Sequence, residues 1–301
     1  MPQTAEFDVD GTLCPLVTPF TDGGVDHAGL TAIIEQTLTA GIDGLVPCGT
    51  TGEFASLSSK EYQAVLETTV AAADGVPVVA GTADTSTRGT RSRIEIAADI
   101  GADAALITLP YFHTANDPAG YRTFIERIAD NSPLPVYLYN IPACTGASID
   151  LDVLEAVADH QRIVGLKDSS GDLNYFTEAV RRTPSNFQLF QGYDSNLLPA
   201  LFFGATGGIN ALSNVIPEAF VDAIDAANAN DIETAHEIHA NQIAPLFQKC
   251  IEHGFAPASK AGLVARGVID STAVRPPLVT LDAAAQADIA AIVEAVTNDS
   301  S

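Results

Sequence analysis

Short runs of apolar and β-branched residues alternate with longer stretches of helical period along most of the chain. Each run is followed by turn residues and then by a predicted helix, so the pattern contains eight strand–helix units. Continuous apolar strands between helices are typical of a parallel sheet covered on both faces, and eight units favour closure into a barrel of the α/β class. The predicted strands are residues 12–18, 44–48, 76–80, 104–108, 136–139, 163–167, 188–191 and 207–210.

Three connections between a helix and the next strand share a short glycine motif. The segments are AGIDGL at 40–45, IGADAA at 100–105 and FGATGG at 203–208. A glycine that ends a helix in the left-handed conformation allows the next strand to begin almost at once. The motif therefore predicts left-handed backbone at Gly41, Gly101 and Gly204.

The pattern becomes wholly helical after residue 214. Helices are predicted over residues 217–229, 231–252, 256–266 and 282–297, and no linker precedes them. The sequence therefore predicts two parts, a barrel at residues 1–214 and a C-terminal helical appendage at residues 215–301.

Charge narrows the range of partners. The 301 residues include 38 Asp and Glu but only 14 Lys and Arg, for a formal net charge of −24 at pH 7. Nucleic-acid affinity depends chiefly on Lys and Arg, so no nucleic-acid partner is expected. The acidic residues are spread over the whole chain, which is typical of a protein kept soluble in concentrated salt. We therefore expect a halophilic protein, because an acidic face for a basic partner would require clustering.

Other features of the whole chain favour a cytoplasmic protein. The sequence contains no uncharged apolar run of about 18 residues, which a membrane span would need. The first residues lack the basic and apolar regions of a signal peptide. Four cysteines, Cys14, Cys48, Cys144 and Cys250, lie far apart without a Cys-x-x-Cys pair. This spacing favours free thiols over a zinc ribbon or a disulfide scaffold.

Polar residues follow the predicted strands at their carboxyl ends. In a closed parallel barrel these ends form one rim, and the chemistry of such barrels takes place there. Hydroxyl groups, a phenol and a lysine therefore converge without being adjacent in the sequence. The segments are GTTGE at 49–53, PY at 110–111, YN at 139–140, KDS at 167–169, QG at 191–192 and IN at 209–210.

Lys167 is the main candidate for a catalytic group. It ends the apolar run IVGLK at 163–167 and is one of four lysines in the chain. A buried lysine is costly to keep charged, and its neutral amine can attack a carbonyl to form a Schiff base. The alternative is an ordinary ion pair with Asp168 or another carboxylate. The polar groups expected on the same rim favour the Schiff base.

Thr50, Thr51 and Tyr139 could supply the other functions that a 2-keto acid substrate needs. The loop at 49–52 offers two hydroxyls and backbone N–H groups that can hold a carboxylate. The phenol could move protons while an imine forms. In the alternative interpretation, a threonine caps the helix predicted to begin near residue 58, and the tyrosine only fills the core.

Polarisation of the same carbonyl by a metal ion is the main mechanistic alternative. The nearest candidate ligands are Glu233, His236 and His239, in a predicted helix of the appendage. They have no further ligand at a recognisable spacing, and an exposed amphipathic helix explains them. We therefore predict no metal site.

Four ordered motifs resemble the pyruvate-dependent class I lyases of the dihydrodipicolinate synthase and N-acetylneuraminate lyase family. They are GTTGE at 49–53, YNIP at 139–142, GLKDSSGD at 165–172 and GGINALSN at 207–214. The resemblance extends over essentially the whole chain. It implies a (β/α)8 TIM barrel with a C-terminal helical domain, assembled as a homotetramer of two tight dimers, and it implies no cofactor.

The resemblance also implies roles for individual residues. Lys167 matches the Schiff-base lysine, and Tyr139 matches the tyrosine that shuttles protons. Thr50 and Thr51 match the pair that relays protons and holds the carboxylate of pyruvate. The other matches to substrate-binding positions are Gly49, Ser169, Gly192, Asp194 and Ile209.

Departures within the motifs favour one branch of the family. Dihydrodipicolinate synthases carry an arginine two residues after the proline of Tyr-Asn-x-Pro, where it binds the carboxylate of the aldehyde substrate. This chain has Cys144 there, and a thiol cannot make that bidentate contact. Asp194 and Ser169 are expected to bind hydroxyls of a sugar acid. We therefore expect reversible aldol cleavage of a 2-keto-3-deoxy sugar acid, such as 2-keto-3-deoxygluconate, to pyruvate and an aldehyde.

Three alternatives remain open. The chain could condense pyruvate as a 4-hydroxy-tetrahydrodipicolinate synthase, dehydrate a 2-keto-3-deoxy sugar acid from the same imine, or bind pyruvate as a sensor or assembly partner without catalysis. The proton relay also departs from many relatives, because Tyr111 is followed by Phe112 where those relatives have a second tyrosine.

Overall fold

Eight parallel strands form one sheet that closes into a barrel. The computed structural model describes residues 7–299, with side chains through residue 297. The strands of the barrel are β1 (Gly11–Cys14), β4 (Gly44–Leu45), β5 (Val79–Gly81), β6 (Ala104–Thr108), β7 (Val136–Asn140), β8 (Ile163–Asp168), β9 (Gln188–Gln191) and β10 (Gly207–Ile209). Two short antiparallel strands, β2 (Phe20–Thr21) and β3 (Gly24–Val25), form a separate pair.

The order of the strands is that of a barrel in which each strand pairs with the next one along the chain. Neighbours run β4, β1, β10, β9, β8, β7, β6 and β5, all in parallel. A parallel bridge between Leu45 and Val78 joins the two ends of this order. The predicted barrel is therefore confirmed.

Helices cover the barrel and continue beyond its last strand. Nine follow one another up to residue 228: α1 (His27–Thr39), α2 (Ser59–Ala72), α3 (Thr87–Ile100), α4 (Pro118–Ala129), α5 (Pro142–Thr145), α6 (Leu151–Ala158), α7 (Leu173–Arg182), α8 (Leu197–Phe202) and α9 (Pro217–Asn228). The last four are α10 (Ile232–Ile238), α11 (Ala244–His253), α12 (Phe255–Ala265) and α13 (Ala283–Asp299). Helix α9 packs against β1 and α8. The predicted division of the chain after residue 214 stays a prediction.

Aspartate and serine side chains begin many of these helices. An N-cap side chain that accepts a hydrogen bond from a first-turn N–H fixes the start of a helix. Eight helices of the described part of the chain have such a cap, formed by Asp26, Ser58, Ser86, Asp117, Asp150, Asp172, Asp231 and Asp282. Part of the large negative charge therefore serves local structure.

Three strands are shorter than predicted because proline interrupts them. Pro15 follows β1, Pro47 lies beyond β4, and Pro77 precedes β5. Proline has no backbone N–H to donate to a neighbouring strand. The other five strands agree with the prediction to within one residue at each end.

The long helix predicted at residues 231–252 is divided. It consists of α10, a π-helical turn at His239–Ile243, and α11. Pro245 lies in the first turn of α11 and cannot donate the hydrogen bond of a regular helix. The irregular turn therefore accommodates the proline without ending the helical direction.

The glycine motif adopts the predicted conformation. Gly41, Gly101 and Gly204 have φ angles of +91°, +104° and +102°. The fourth residue of each motif also connects strands at the amino-terminal end of the barrel, because its side chain accepts a hydrogen bond from a backbone N–H of a neighbouring strand segment. The bonds are Thr12 N–H to Asp43 at 2.8 Å, Val78 N–H to Asp103 at 2.8 Å and Leu189 N–H to Thr206 at 2.9 Å.

The interior of the barrel is a packed core. Side chains from seven of the barrel strands or the residues that extend them meet there and leave no channel through the barrel. They include Leu13, Val46, Val79, Leu106, Tyr137, Phe190 and Ile209. The carboxyl-terminal rim is therefore one of the places where a ligand could reach the strands from outside.

Candidate active site

The register of β7 and β8 places Lys167 beside Tyr139. These two residues are partners across the strand pair, and the next pair is Asn140 with Asp168. Lys167 Nζ lies 4.3 Å from the centre of the Tyr139 ring. Both residues are buried, with exposed fractions of 4% for Lys167 and 5% for Tyr139. The two predicted catalytic residues are therefore neighbours at the end of the barrel.

Lys167 forms no direct ion pair within the described part of the chain. Among the residues that the structure describes, no carboxylate oxygen lies within 4.0 Å of its Nζ. The carboxylate of Asp168 instead accepts hydrogen bonds from Asn140 Nδ2 at 2.8 Å and from the Ser170 N–H and hydroxyl at 3.2 and 3.0 Å. The ion-pair interpretation of Lys167 is therefore not supported, and its amine is free to react.

Asp168 and Asn140 fix the strand register next to Lys167 and Tyr139. Asp168 has an exposed fraction of 0%, and burial raises its pKa to about 6, while the hydrogen bonds from Asn140 and Ser170 oppose that shift. Asn140 uses its other side-chain atom to accept the Ile149 N–H at 2.9 Å. This hydrogen-bonded pair ties the ends of the two strands to each other and to the following loop.

The threonine loop presents two hydroxyls without protein partners. Thr50 is exposed and Thr51 is buried, and neither hydroxyl makes a hydrogen bond with the described part of the chain. Helix α2 is capped by Ser58, which forms a capping box with Glu61. The alternative that Thr50 or Thr51 caps this helix is therefore wrong, and both hydroxyls remain available to a substrate.

Gly192 lies against the lysine side chain. Its N–H donates to Asp168 O at 2.7 Å, and a β-carbon at this position would lie 2.7 Å from Lys167 Cε and even closer to Ser169 Oγ. Ser169 Oγ is itself buried without a hydrogen-bond partner in the described structure. Ile209, the last residue of β10, is 1% exposed. The structure therefore brings Ser169 and Gly192 to Lys167 and places Ile209 on the same rim.

Asp194, which is predicted to bind substrate hydroxyls, is fully buried. The residue has an exposed fraction of 0%, and its Oδ1 accepts the Leu212 N–H at 2.9 Å. Its Oδ2 is buried without a partner among the described residues. Burial raises the pKa of Asp194 to about 6, and backbone hydrogen bonds from residues 211 and 212 oppose the shift. The carboxylate has no exposed surface in the structure, and its binding of sugar-acid hydroxyls stays a prediction.

Cys144 lies at the rim as expected. It is exposed in the short helix α5, and the other three cysteines are buried free thiols. Desolvation raises the pKa of the Cys144 thiol, and the positive charge of Lys167 partly opposes this. The position that carries the arginine in dihydrodipicolinate synthases therefore lies within electrostatic range of the lysine.

The tyrosine–phenylalanine pair after β6 separates into two environments. Tyr111 is partly buried, and its ring packs edge-on against Phe54 at 6.1 Å. Phe112 has an exposed fraction of 77%. Phe112, which stands where many relatives have a second tyrosine, therefore lies on the surface of the single chain.

The candidate metal ligands do not form a site. His239 lies in the π-helical turn beyond α10, and its Nδ1 is buried without a partner in the described structure. Across residues 7–299, no group of three or more His, Cys, Asp or Glu side chains is placed to hold a metal ion. In the same range, no helix has the length and apolar character to cross a bilayer.

One group of residues near the site was not predicted. Glu53, which ends the threonine loop motif, forms a buried ion pair with Lys260 of α12 at 2.5 Å. The Arg275 N–H donates to the other oxygen of Glu53 at 2.8 Å. Glu53 belongs to a motif that the sequence singles out, and Lys260 is one of only four lysines, but their contact joins residues 207 positions apart.

Comparison with known proteins agrees with this geometry. The model of the dihydrodipicolinate synthetase family matches residues 8–296. The chain belongs to this family. Its members are carbon–carbon lyases of the class I aldolase type, which act on pyruvate, and the expected family membership is therefore confirmed.

Curated relatives cover nearly the whole chain. A 4-hydroxy-tetrahydrodipicolinate synthase of Methanopyrus kandleri is 36% identical over 278 residues, which are 90% of this chain and 91% of the relative. The protein of the same name from Natronomonas pharaonis is 39% identical over 271 residues, which are 89% and 91% of the two chains. These names favour the synthase alternative over cleavage of a sugar acid.

Solved structures share the fold. A prophage protein of E. coli K12 from the same family, determined in complex with pyruvate, is 30% identical with a TM-score of 0.89, over 96% of this chain and 98% of its own. The dihydrodipicolinate synthase of Aquifex aeolicus is 29% identical with a TM-score of 0.91, over 96% and 98% of the two chains. The TIM barrel with C-terminal helices is therefore common to these proteins.

Proposed function

We propose that the chain is a class I aldolase that makes or breaks a carbon–carbon bond next to pyruvate through a Schiff base on Lys167. The observation that carries this proposal is the buried Lys167 amine, which lies against the Tyr139 ring with no carboxylate within 4.0 Å among the described residues. An amine without such a partner is available to attack a carbonyl. Nothing in the reaction requires a metal or an organic cofactor.

The chemistry follows from the groups on the rim. The Lys167 amine adds to the C2 carbonyl of the 2-keto acid, and loss of water gives a protonated imine that accepts electrons from C3. Loss of a C3 proton then gives an enamine, which attacks an aldehyde; in the reverse direction, the C3–C4 bond breaks and the aldehyde leaves. In this proposal Tyr139 and Thr50 move the protons, and Thr51 with the loop N–H groups holds the carboxylate.

The first candidate aldehyde carries a carboxylate, as in the 4-hydroxy-tetrahydrodipicolinate synthase reaction. The names of the relatives at 36% and 39% identity support it. In this reaction the enamine of pyruvate adds to aspartate semialdehyde, and the amine of the same aldehyde then attacks C2 and displaces the Lys167 amine, which closes the ring.

The second candidate is cleavage of a 2-keto-3-deoxy sugar acid, and Cys144 favours it. A synthase needs a cation to bind the carboxylate of its aldehyde, but the exposed residue at this rim position is a thiol. A neutral polyol aldehyde has no such requirement. Dehydration of the same sugar acid from the imine is a variant of this candidate.

The proposal is tested in two steps. Incubation with pyruvate and borohydride should add the mass of the reduced adduct to the native protein but not to Lys167→Ala, and the site is read from the labelled peptide. Absence of the adduct from the native protein would refute the proposal and favour a non-catalytic role.

Pyruvate release from 2-keto-3-deoxygluconate and condensation of pyruvate with aspartate semialdehyde are then measured side by side in native protein and Cys144→Arg. Arginine should improve the condensation if a missing cation limits it.

The setting of the enzyme is also proposed. Members of the family are typically oligomers, although a monomeric variant of dihydrodipicolinate synthase is known. We propose a homotetramer, because the exposed Phe112 offers an apolar surface for another subunit to cover. The acidic composition further supports a cytoplasm of high salt.

A further inference from the structure

Glu53 is an acidic residue enclosed at the end of the threonine loop. Its side chain is 1% exposed, and its backbone has a left-handed φ of +54°. The Glu53 N–H donates to Thr50 O at 3.1 Å, which makes the loop a single tight turn. Any displacement of Glu53 therefore acts directly on the backbone that carries Thr50 and Thr51.

Two groups from the C-terminal helical region hold the Glu53 carboxylate. Lys260 Nζ donates to Oε1 at 2.5 Å, and the Arg275 N–H donates to Oε2 at 2.8 Å. Lys260 is itself fixed, because it also donates to Ala273 O at 2.7 Å and lies 4.1 Å from the centre of the Phe20 ring. Each carboxylate oxygen therefore has a partner that the helical region supplies, and Lys260 is itself fully buried.

The barrel holds the same loop from the other side. Thr18 Oγ1 donates to Gly52 O at 2.8 Å, and a β-carbon on Gly52 would lie 2.8 Å from Leu16 O. The loop thus has contacts with the barrel through residue 52 and with the C-terminal region through residue 53. Neither set of contacts uses the hydroxyl of Thr50 or of Thr51.

Burying an ion pair is a poor way to gain stability. Removing both charges from water costs about as much as their attraction returns, and an apolar pair of similar size is often at least as stable. The buried ion pair is better explained by the fixed geometry that it gives the threonine loop, because a loop that must bind a carboxylate cannot move far without losing its contacts.

We propose that Glu53, held by Lys260 and the Arg275 N–H, is a positioning residue that sets the threonine loop for the carboxylate of pyruvate. The C-terminal helical region therefore contributes to substrate binding without touching the substrate. The inference rests on the proposed function, in which this loop binds pyruvate. It assigns roles to Glu53 and Lys260 that the Schiff-base chemistry does not itself require.

The test compares Lys260→Met with a matched variant, Arg266→Met. Arg266 lies at the end of α12 and pairs with Glu218 of α9 at 2.9 Å, so its loss also breaks an ion pair of the helical region, but one remote from the loop. The assay is exchange of the methyl protons of pyruvate with D2O, followed by NMR over a range of pyruvate concentrations. This exchange needs only the imine and the enamine, and it gives KM and kcat without an aldehyde.

We expect Lys260→Met to raise KM for pyruvate by about tenfold or more, because a shift of the loop by a fraction of an ångström weakens every contact with the carboxylate. The borohydride adduct on Lys167 should still form at saturating pyruvate. Arg266→Met should lower the melting temperature while KM stays at the native value. A lower melting temperature with native KM in both variants would overturn the inference, since the pair would then serve stability alone.

Two further variants keep the test decisive if Lys260→Met folds poorly. Glu53→Gln keeps the size of the side chain, but one of its two amide positions cannot accept a hydrogen bond, so KM should still rise. The double variant Glu53→Gln/Lys260→Met removes both charges and should recover melting temperature but not KM. Recovery of KM together with melting temperature would refute positioning. A native protein that forms no pyruvate adduct would instead refute the proposed function and this inference with it.

Discussion

Replacing Gly192 with alanine should reduce catalysis while leaving the fold almost intact. The new β-carbon would lie 2.2 Å from Ser169 Oγ and 2.7 Å from Lys167 Cε, whereas ordinary contacts are 3.4–4 Å. Both are side-chain atoms and would move, Lys167 Cε by about 0.7 Å to reach an ordinary contact. Because the movement displaces the nucleophile from the 2-keto carbon, the rate should fall about 100-fold, or about 2.7 kcal/mol in the barrier.

The assay separates this effect from general damage. Exchange of pyruvate methyl protons with D2O reports formation of the imine and enamine, and thermal unfolding reports the fold. Gly23→Ala is the matched control, because its nearest neighbour would be Thr21 Oγ1 at an ordinary 3.8 Å. A Gly192→Ala protein that exchanges protons within about twofold of the native rate would refute the reasoning. Lys167 would then tolerate displacement, and its placement beside Gly192 would not matter to the chemistry.

Two other predictions concern charge. Asp194→Asn should change how stability depends on pH. Burial raises the pKa of Asp194 to about 6, so keeping it ionised costs the native protein up to about 3 kcal/mol as pH rises from about 4 to above 6. The free energy of unfolding, measured with urea at both ends of this range, should therefore fall more steeply in the native protein than in the variant. Parallel pH profiles would contradict this. Raising KCl from about 0.1 to 2 M should increase the melting temperature, because salt screens repulsion within a chain of net charge −24. A melting temperature that is unchanged or falls would contradict the halophilic interpretation.

The sequence predicts those features that depend on short-range pattern and on the topology of parallel strands. Apolar runs separated by helices are enough for the barrel, and the ends of parallel strands must meet at one rim. Lys167 and Tyr139 could therefore be placed together before any contact was known. The glycine motif predicts the left-handed turns at Gly41, Gly101 and Gly204 for the same local reason.

Features that depend on the packing of distant segments could not be predicted. The position of Asp194 two residues after Gly192 suggests a rim residue, but the 3-10 turn at Asp194–Asn196 directs its carboxylate inward. There it meets the Leu212 N–H, which belongs to the next turn along the rim. No local pattern shows which side of such a turn faces a substrate.

Two buried lysines illustrate how environment distinguishes a reactive amine from a structural one. Lys260 is fully buried, but a carboxylate oxygen at 2.5 Å and a backbone carbonyl at 2.7 Å hold its Nζ. Lys167 is 4% exposed and, among the described side chains, has an aromatic ring at 4.3 Å but no carboxylate within 4.0 Å. Two acceptors hold the Nζ of Lys260, whereas no carboxylate does so for Lys167 within the described residues, so only the Lys167 amine is available to a carbonyl. Scarcity of lysine in an acidic chain identifies both residues, but only the contacts at Nζ distinguish the candidate nucleophile from the structural lysine.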